Sequence, residues 1–344
     1  MKQHFFLLAL VCLVLGCQSE SKSHYYNAVN IKTVFEDSVS IRAIEYLDNK
    51  TLAFAGSKGI FGTVDIPTGK IRTNTMKYHT KIPAFRAVAH TSTDFFMLSI
   101  ESPALLYKTA KNGQMELVYK EEGEGVFYDA MKFWNDLEGI AIGDEVNGCL
   151  SIIITKDGGQ TWNKLSCSNL PKGIDGEGAF AASNTNIEIQ GEIVWIITTS
   201  GRIYISEDRG ETWNTMQTPI INEKETQGIY SIDFYDENLG FAVGGDFTEP
   251  DANIFNKILT TDGGKTWKTI ADEQPPGYKS CVQYIPNSGG NDLVTVGFTG
   301  IDYSDNGGVS WKTLSEEGFY TIRFLNDSIA YAAGKYRIAR LVFK

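Results

Sequence analysis

The sequence predicts an all-β protein: a seven-bladed β-propeller of four-stranded antiparallel blades, its ring closed by an N-terminal strand. Three observations predict it. An octapeptide recurs as "TKDGGQTW" (155–162), "SEDRGETW" (206–213), "TTDGGKTW" (260–267) and "SDNGGVSW" (304–311). Its tryptophans, Trp162, Trp213, Trp267 and Trp311, lie 51, 54 and 44 residues apart, and repeats of that length suit one four-stranded blade. The 344 residues carry 34 glycines and 12% aromatics against 9 prolines, which is a composition of strands joined by tight turns, and they show no amphipathic helical pattern.

The chain begins with a leader. Lys2 precedes an apolar run from Phe5 to Leu15, too short to span a bilayer comfortably, and the run ends in "VLGC" at Cys17. This resembles a bacterial lipobox, which implies a signal peptide over 1–16 and an acylated Cys17. Residues 17–26 then read as a polar tether and 27–344 as the propeller. The expected location is the cell envelope, facing the periplasm or the surface, with membrane attachment through lipid.

Seven aromatic-rich openings follow: "SIRAIEY" (40–46), "AFRAVAH" (84–90), "FYDAMKF" (127–133), "AFAASNT" (179–185), "IYSIDFY" (229–235), "KSCVQYI" (279–285) and "FYTIRFL" (319–325). Second strands such as "LAFAG", "GIAIG", "GFAVG" and "AYAAG" come next. In the first two copies, degenerate turns at 63–69 and 109–115 take the octapeptide's place. The last copy has sequence for three strands only, so "NAVNIKTVF" (27–35) is expected to supply its outer strand and remove a bare sheet edge.

Each octapeptide sits between two β-rich runs and reads as a hairpin connection. Asp157, Asp208, Asp262 and Asn306 can accept hydrogen bonds from their own turn, and the glycines supply positive φ. A catalytic group would not be expected in four copies, one of them an amide, so these are assigned to structure. The pattern resembles the Asp-box (BNR-type) repeat of sialidase-like propellers.

The formal charge of -11, with no Lys/Arg cluster, argues against nucleic acid and against electrostatic adhesion to an anionic membrane. Past Cys17 the cysteines are Cys149, Cys167 and Cys281, without metal spacing, and the four histidines form no ligand pair; no metal or cofactor is expected. An oxidising periplasm would permit one disulfide, but the expectation is three isolated buried thiols. "GEGAFA" (176–181) matches Gly-x-Gly-x-x-Ala but lacks the strand before and the helix after that a dinucleotide fingerprint needs.

Tight A–B turns and the octapeptide turns share one face of the ring; the longer B–C and D–A segments share the other, where binding is expected. The inner strands start there. Candidate ligand or partner contacts are Arg42, Arg86 and Asp129 near the axis, with Ala181, Ser231 and Thr321 in the same register, and Glu101, Asp144, Glu177 and Asp246 in the loops. Two arginines among carboxylates suit a charged peptide segment, or a ligand with acid and amide groups.

The segments "SIRAI…AGSKG", "FYDAMKFWNDLEGIAIGD", "GEGAFAASNT" and "GIYSIDFYDENLGFAVGGDF" resemble the bacterial relatives of the plant photosystem II stability/assembly factor. That resemblance covers nearly the whole mature chain. It implies a non-catalytic propeller that holds partner proteins through an arginine-bearing surface, here matched by Arg42 and Arg86. The function expected is therefore a monomeric, lipid-anchored scaffold for an envelope protein or complex. The alternative is a sialidase-like glycoside hydrolase or glycan-binding protein. It would need two carboxyl groups ~5 Å apart, from Asp129, Asp144 or Glu177, if it retains configuration. A sialidase would also need a third arginine beside Arg42 and Arg86, for which Arg323 is the nearest residue, and here its Arg-Ile-Pro motif reads Lys81-Ile-Pro.

Overall fold

Short apolar runs separated by turn residues fold here into antiparallel sheets, as their spacing dictates. The computed structural model describes residues 24–344. The signal segment 1–16 and Cys17 lie outside the described residues. Five sheets hold four strands and one holds seven. The larger sheet is two blades joined by one long strand, Val29–Asp48. Its C-terminal half pairs with Thr51–Gly56 as the inner strand of blade 1. Its N-terminal half pairs antiparallel with Lys335–Phe343, Val29 opposite Phe343 and Ile31 opposite Leu341, as the outer strand of blade 7. Seven four-stranded blades result, and the ring is closed by the strand expected to close it.

The clasp extends further back than the strand. Tyr26, near the end of the segment read as a tether, is buried among Tyr303, Phe319 and Phe343. Its hydroxyl donates to the Asp327 carbonyl at 2.8 Å, while the His24 backbone N–H donates to Asp292 at 3.1 Å.

The four octapeptides make one hydrogen-bond pattern. In the first, Thr155 Oγ1 donates to Asp157 (2.9 Å) and accepts from Gly159 N–H (2.9 Å), while Asp157 accepts from the Thr161 N–H (2.9 Å) and hydroxyl (2.7 Å). The copies around Asp208 and Asp262 repeat it, and Asn306 keeps it by donating its amide to Ser310 Oγ at 2.8 Å. Sequence variation at the glycines follows from space. The second one, Gly308 in the last copy, has φ +85 and would put a Cβ 2.2 Å from Phe241 of the preceding blade. At the first position Gly307 has nothing nearer than 4.0 Å, and in the second copy Arg209 stands there with φ 57. The indoles pack between blades: Trp162 lies edge-on to Phe96 and Phe133, and Trp311 to Phe241.

Two expectations need correction. Cys149 and Cys167 form a disulfide, with Cα atoms 5.5 Å apart; only Cys281 remains a free, buried thiol among the described residues. Antiparallel pairing of Cys149–Thr155 with Asn163–Lys164 brings the two cysteines together, which an odd cysteine count does not reveal. Second, 179–185 is not the inner strand of blade 4. That strand is Ile187–Gln190, and the preceding small and polar residues cross the axis of the ring instead.

Candidate functional site

Four inner strands carry a β-bulge at one equivalent position. Pairing skips Arg42 between Ile41 and Ala43, Arg86 between Phe85 and Ala87, Asp129 between Tyr128 and Ala130, and Tyr230 between Ile229 and Ser231. A bulge re-aims the extra side chain, and here the arginines and Tyr230 line one cavity at the centre of the long-loop face. Tyr320 occupies the same register in blade 7.

The segment Phe180–Asn186 plugs the channel beneath. Asn184 donates to the Val88 carbonyl (2.8 Å) and accepts from Met131 N–H (3.1 Å). Thr185 donates to Ser231 Oγ (2.8 Å), and Thr321 donates to the Ser183 carbonyl (3.0 Å). Arg42 and Arg86 reach down to the Ala182 and Ala181 carbonyls at 3.4 and 3.3 Å. Ser231, Thr321 and Ala181 therefore belong to the plug and its sockets. Ser231 and Thr321 lie one register step from the positions expected of them, which moves a side chain to the other face of a strand.

Above the plug is a cavity of about 250 Å³ walled by Phe180, Tyr230, Phe247, Tyr278, Phe298 and Tyr320 around the two arginines. Phe180 stacks on Tyr230 at 3.7 Å, Tyr230 meets Tyr278 edge-on at 4.7 Å, and the Arg42 guanidinium lies 3.9 Å above the Tyr320 ring. Arg42 Nε is buried without a hydrogen-bond partner. Burial, the adjacent Arg42 charge and nearby Asp129 and Glu101 all act on Arg86; the net effect lowers its pKa from the usual value.

The nominated carboxylates separate into two groups. Asp129 is fully buried and neither oxygen is hydrogen-bonded. Burial, then the nearby Asp144 carboxylate, push it well above the ordinary carboxylate range, against the pull of Arg86. Asp144 accepts from Ala179 N–H at 3.2 Å, and burial raises it to about 6. Asp129 sits beside Arg86 and Asp144 beside Asp129, and neither lines the cavity. Glu177 is spent on structure, accepting from Thr198 (2.8 Å), Tyr204 (2.9 Å) and Ile174 N–H (3.1 Å) beside Arg202. Asp246 organises its own loop: burial opposes ionisation, but bonds from the Thr248 hydroxyl and N–H hold it below the usual carboxylate range. Arg323 lies on the far side of the plug, bonded to its Ser183 and Asn184 carbonyls, so three arginines do not converge. Lys81, in the "KIP" run, is exposed and donates to the Ser102 carbonyl.

Comparison with known proteins fits this architecture. A family model described as Sortilin-Vps10 (Sortilin, neurotensin receptor 3) matches residues 150–282. The chain is similar to the structure titled "YCF48 bound to D1 peptide", with TM-score 0.65 and 12% identity over 94% of this chain and 99% of that one. It is similar to YCF48 from Cyanidioschyzon merolae, with TM-score 0.64 and 12% identity over 91% and 98%. The GH74 xyloglucanase from Xanthomonas campestris aligns with TM-score 0.65 and 12% identity over 90% of this chain and 53% of that one. A search of curated protein sequences found no match. The fold is a β-propeller. Identities this low carry the fold and nothing about ligands.

The six aromatics of the cavity wall were missed from sequence. Tyr230 and Tyr320 had a signal, since the repeat register puts them where Arg42 and Arg86 stand. Phe180, Phe247, Tyr278 and Phe298 come from irregular loops, where no periodicity marks them.

Proposed function

We propose that the chain is a lipid-anchored envelope propeller that holds a protein partner by an extended, acid-bearing segment laid in the arginine–aromatic cavity. The observation that carries this reading is the pairing of Arg42 and Arg86, on equivalent bulges, with a ring of aromatic side chains on the long-loop face. Both guanidinium groups have only long bonds to plug carbonyls, so a carboxylate or a chain of peptide carbonyls gains charge-assisted bonds there. Aromatic faces give such a segment contact area at low entropic cost. Likeness to a propeller solved with a D1 peptide supports a peptide-holding mode.

A glycan is the second reading, favoured by the aromatic wall and by the likeness to a xyloglucanase fold. Hydrolysis is disfavoured, because Asp129 is sealed from solvent and Glu177 is bonded within blade 4.

The test is co-purification from detergent-solubilised membranes, with wild type beside a folded Arg42→Glu/Arg86→Glu variant. A protein held by the wild type and released by the variant supports the scaffold. Identical or empty eluates reject it, and retention of the wild type on a glycan array would then bring the second reading forward. A Cys17→Ser variant should move the protein from the membrane to the soluble fraction if the anchor is lipid.

A further inference from the structure

On the other side of the plug the channel opens into a second cavity of about 500 Å³, at the A–B turn face. The inner strands place Glu45, Lys132, Glu188, Asp233, Gln283 and Arg323 at one equivalent register around it, with Ala89 in blade 2. Their charges are unevenly spent. Lys132 is bonded to Glu188 at 2.6 Å. Arg323 turns its Nη atoms onto the plug carbonyls, Thr321 and its own strand, and leaves Nε 3.7 Å from Glu45. Asp233 has no ion-pair partner among the described residues and accepts the Tyr284 N–H at 2.6 Å.

The cavity wall beside Asp233 is aromatic, built from Tyr46, Tyr235, Tyr284 and Phe324. Tyr284 is 6% exposed, and its hydroxyl has no hydrogen-bond partner. An anion meets no free cationic donor among the described residues here, because the Arg323 Nη atoms are occupied by the plug and their own strand and Lys132 is paired with Glu188. We propose that this mouth binds a small organic cation, a protonated aliphatic amine, with Asp233 as its counter-ion and Glu45 at the rim. The ammonium gains charge-assisted bonds to the carboxylate and an attraction to the ring faces, and its alkyl chain covers apolar surface. The plug separates this mouth from the arginine cavity, so the inference does not depend on the partner reading.

Burial, then the Glu188 carboxylate, raise Asp233 to about 8, while Lys132 and Arg323 act the other way. The other titratable groups nearby are Glu45, His90 at 4.0 Å from it, and Asp236, whose charge acts on Tyr284. A cation that binds ionised Asp233 binds more tightly as pH rises toward that value, while an aliphatic amine stays protonated.

Isothermal titration of the full chain in detergent with cadaverine, at pH 6.5 and 8.5, tests this. Pentanol and glutarate are the uncharged and oppositely charged controls, and Nα-acetyl-lysine methylamide separates a lysine side chain from a free diamine as the source of the ammonium. One-to-one binding is expected, about 25-fold tighter at pH 8.5 than at pH 6.5, following the ionised fraction of a group titrating at about 8, and at least tenfold weaker in Asp233→Asn. Glu45→Gln, at the rim, should weaken binding several-fold and keeps the test readable if Asp233→Asn does not fold. Absence of cadaverine binding, equal binding of glutarate, or undiminished affinity in the folded variants would overturn the assignment.

Discussion

An Asp144→Asn variant keeps the shape of the residue and its contact with Ala179 N–H and removes its charge. Burial raises Asp144 to about 6 from an ordinary 3.8. A carboxyl whose folded pKa is raised favours the native state in its protonated form. That contribution is complete below the unfolded pKa and is lost as pH climbs through about 6. The gap is roughly two pKa units at ~1.4 kcal/mol each, so the wild type gives up about 3 kcal/mol between acid and neutral pH. Partial solvent access reduces this to about 2 kcal/mol. Asparagine does not titrate. The variant should therefore be about 2 kcal/mol more stable than wild type at pH 7.5 and within ~0.5 kcal/mol of it at pH 4. Urea unfolding followed by tryptophan fluorescence reads this as a midpoint shift at constant slope. Equal stability differences at the two pH values would refute the reasoning, and would mean that Asp144 is solvated and the Asp129–Asp144 pair does not cost the fold anything.

Three further outcomes are expected. Gly308→Ala should cost about 3 kcal/mol in urea unfolding, because backbone strain adds to a collision with Phe241, whereas Gly307→Ala, with nothing closer than 4.0 Å, should cost about 1 kcal/mol. Cys149→Ser should lower stability by about 3 kcal/mol, the loop-closure value for a separation of 18 residues, and reductant should then have no further effect on the unfolding midpoint. Asn184→Leu strands the Val88 carbonyl and the Met131 N–H inside the ring and should cost about 1–3 kcal/mol for each, measured the same way.

What the sequence made legible was whatever repeats. The octapeptide turns, the second strands and the deficit of one strand in the last copy are periodic, and a period is visible without coordinates. Val29–Asp48 could be expected to serve two blades because a bare edge in blade 7 needed a partner. The site was legible only where it shares that periodicity: Arg42 and Arg86 fall at matching places in successive repeats and do meet. The plug breaks the pattern. "AFAASNT" has the length and the opening aromatic of an inner strand, yet its small polar residues bond to the axis-facing groups of five other blades. Asp129, Glu177 and Asp246 were nominated by residue type and loop position. Type cannot distinguish a carboxylate facing a ligand from one buried or capping its own loop.

The plug also decides how the arginine variants should be read. Arg42 and Arg86 each face the cavity and hold a plug carbonyl, so reversing their charge removes two things at once. Arg323 holds the same plug from below and has no part in the cavity wall. It is therefore the matched control. Arg323→Met should loosen the plug as much as the double reversal does, visible as faster amide exchange at 181–185, while a partner bound through the guanidinium pair stays on the column. A softer variant, Arg42→Lys/Arg86→Lys, keeps the charge but loses the planar fork, and should weaken binding about tenfold if the partner presents a carboxylate. Release of the partner by Arg323→Met as complete as that by Arg42→Glu/Arg86→Glu would show that the partner reads the order of the plug rather than the charge above it. The docking element would then be the Phe180–Tyr230 stack, 3.7 Å between ring centres, and the arginines its support.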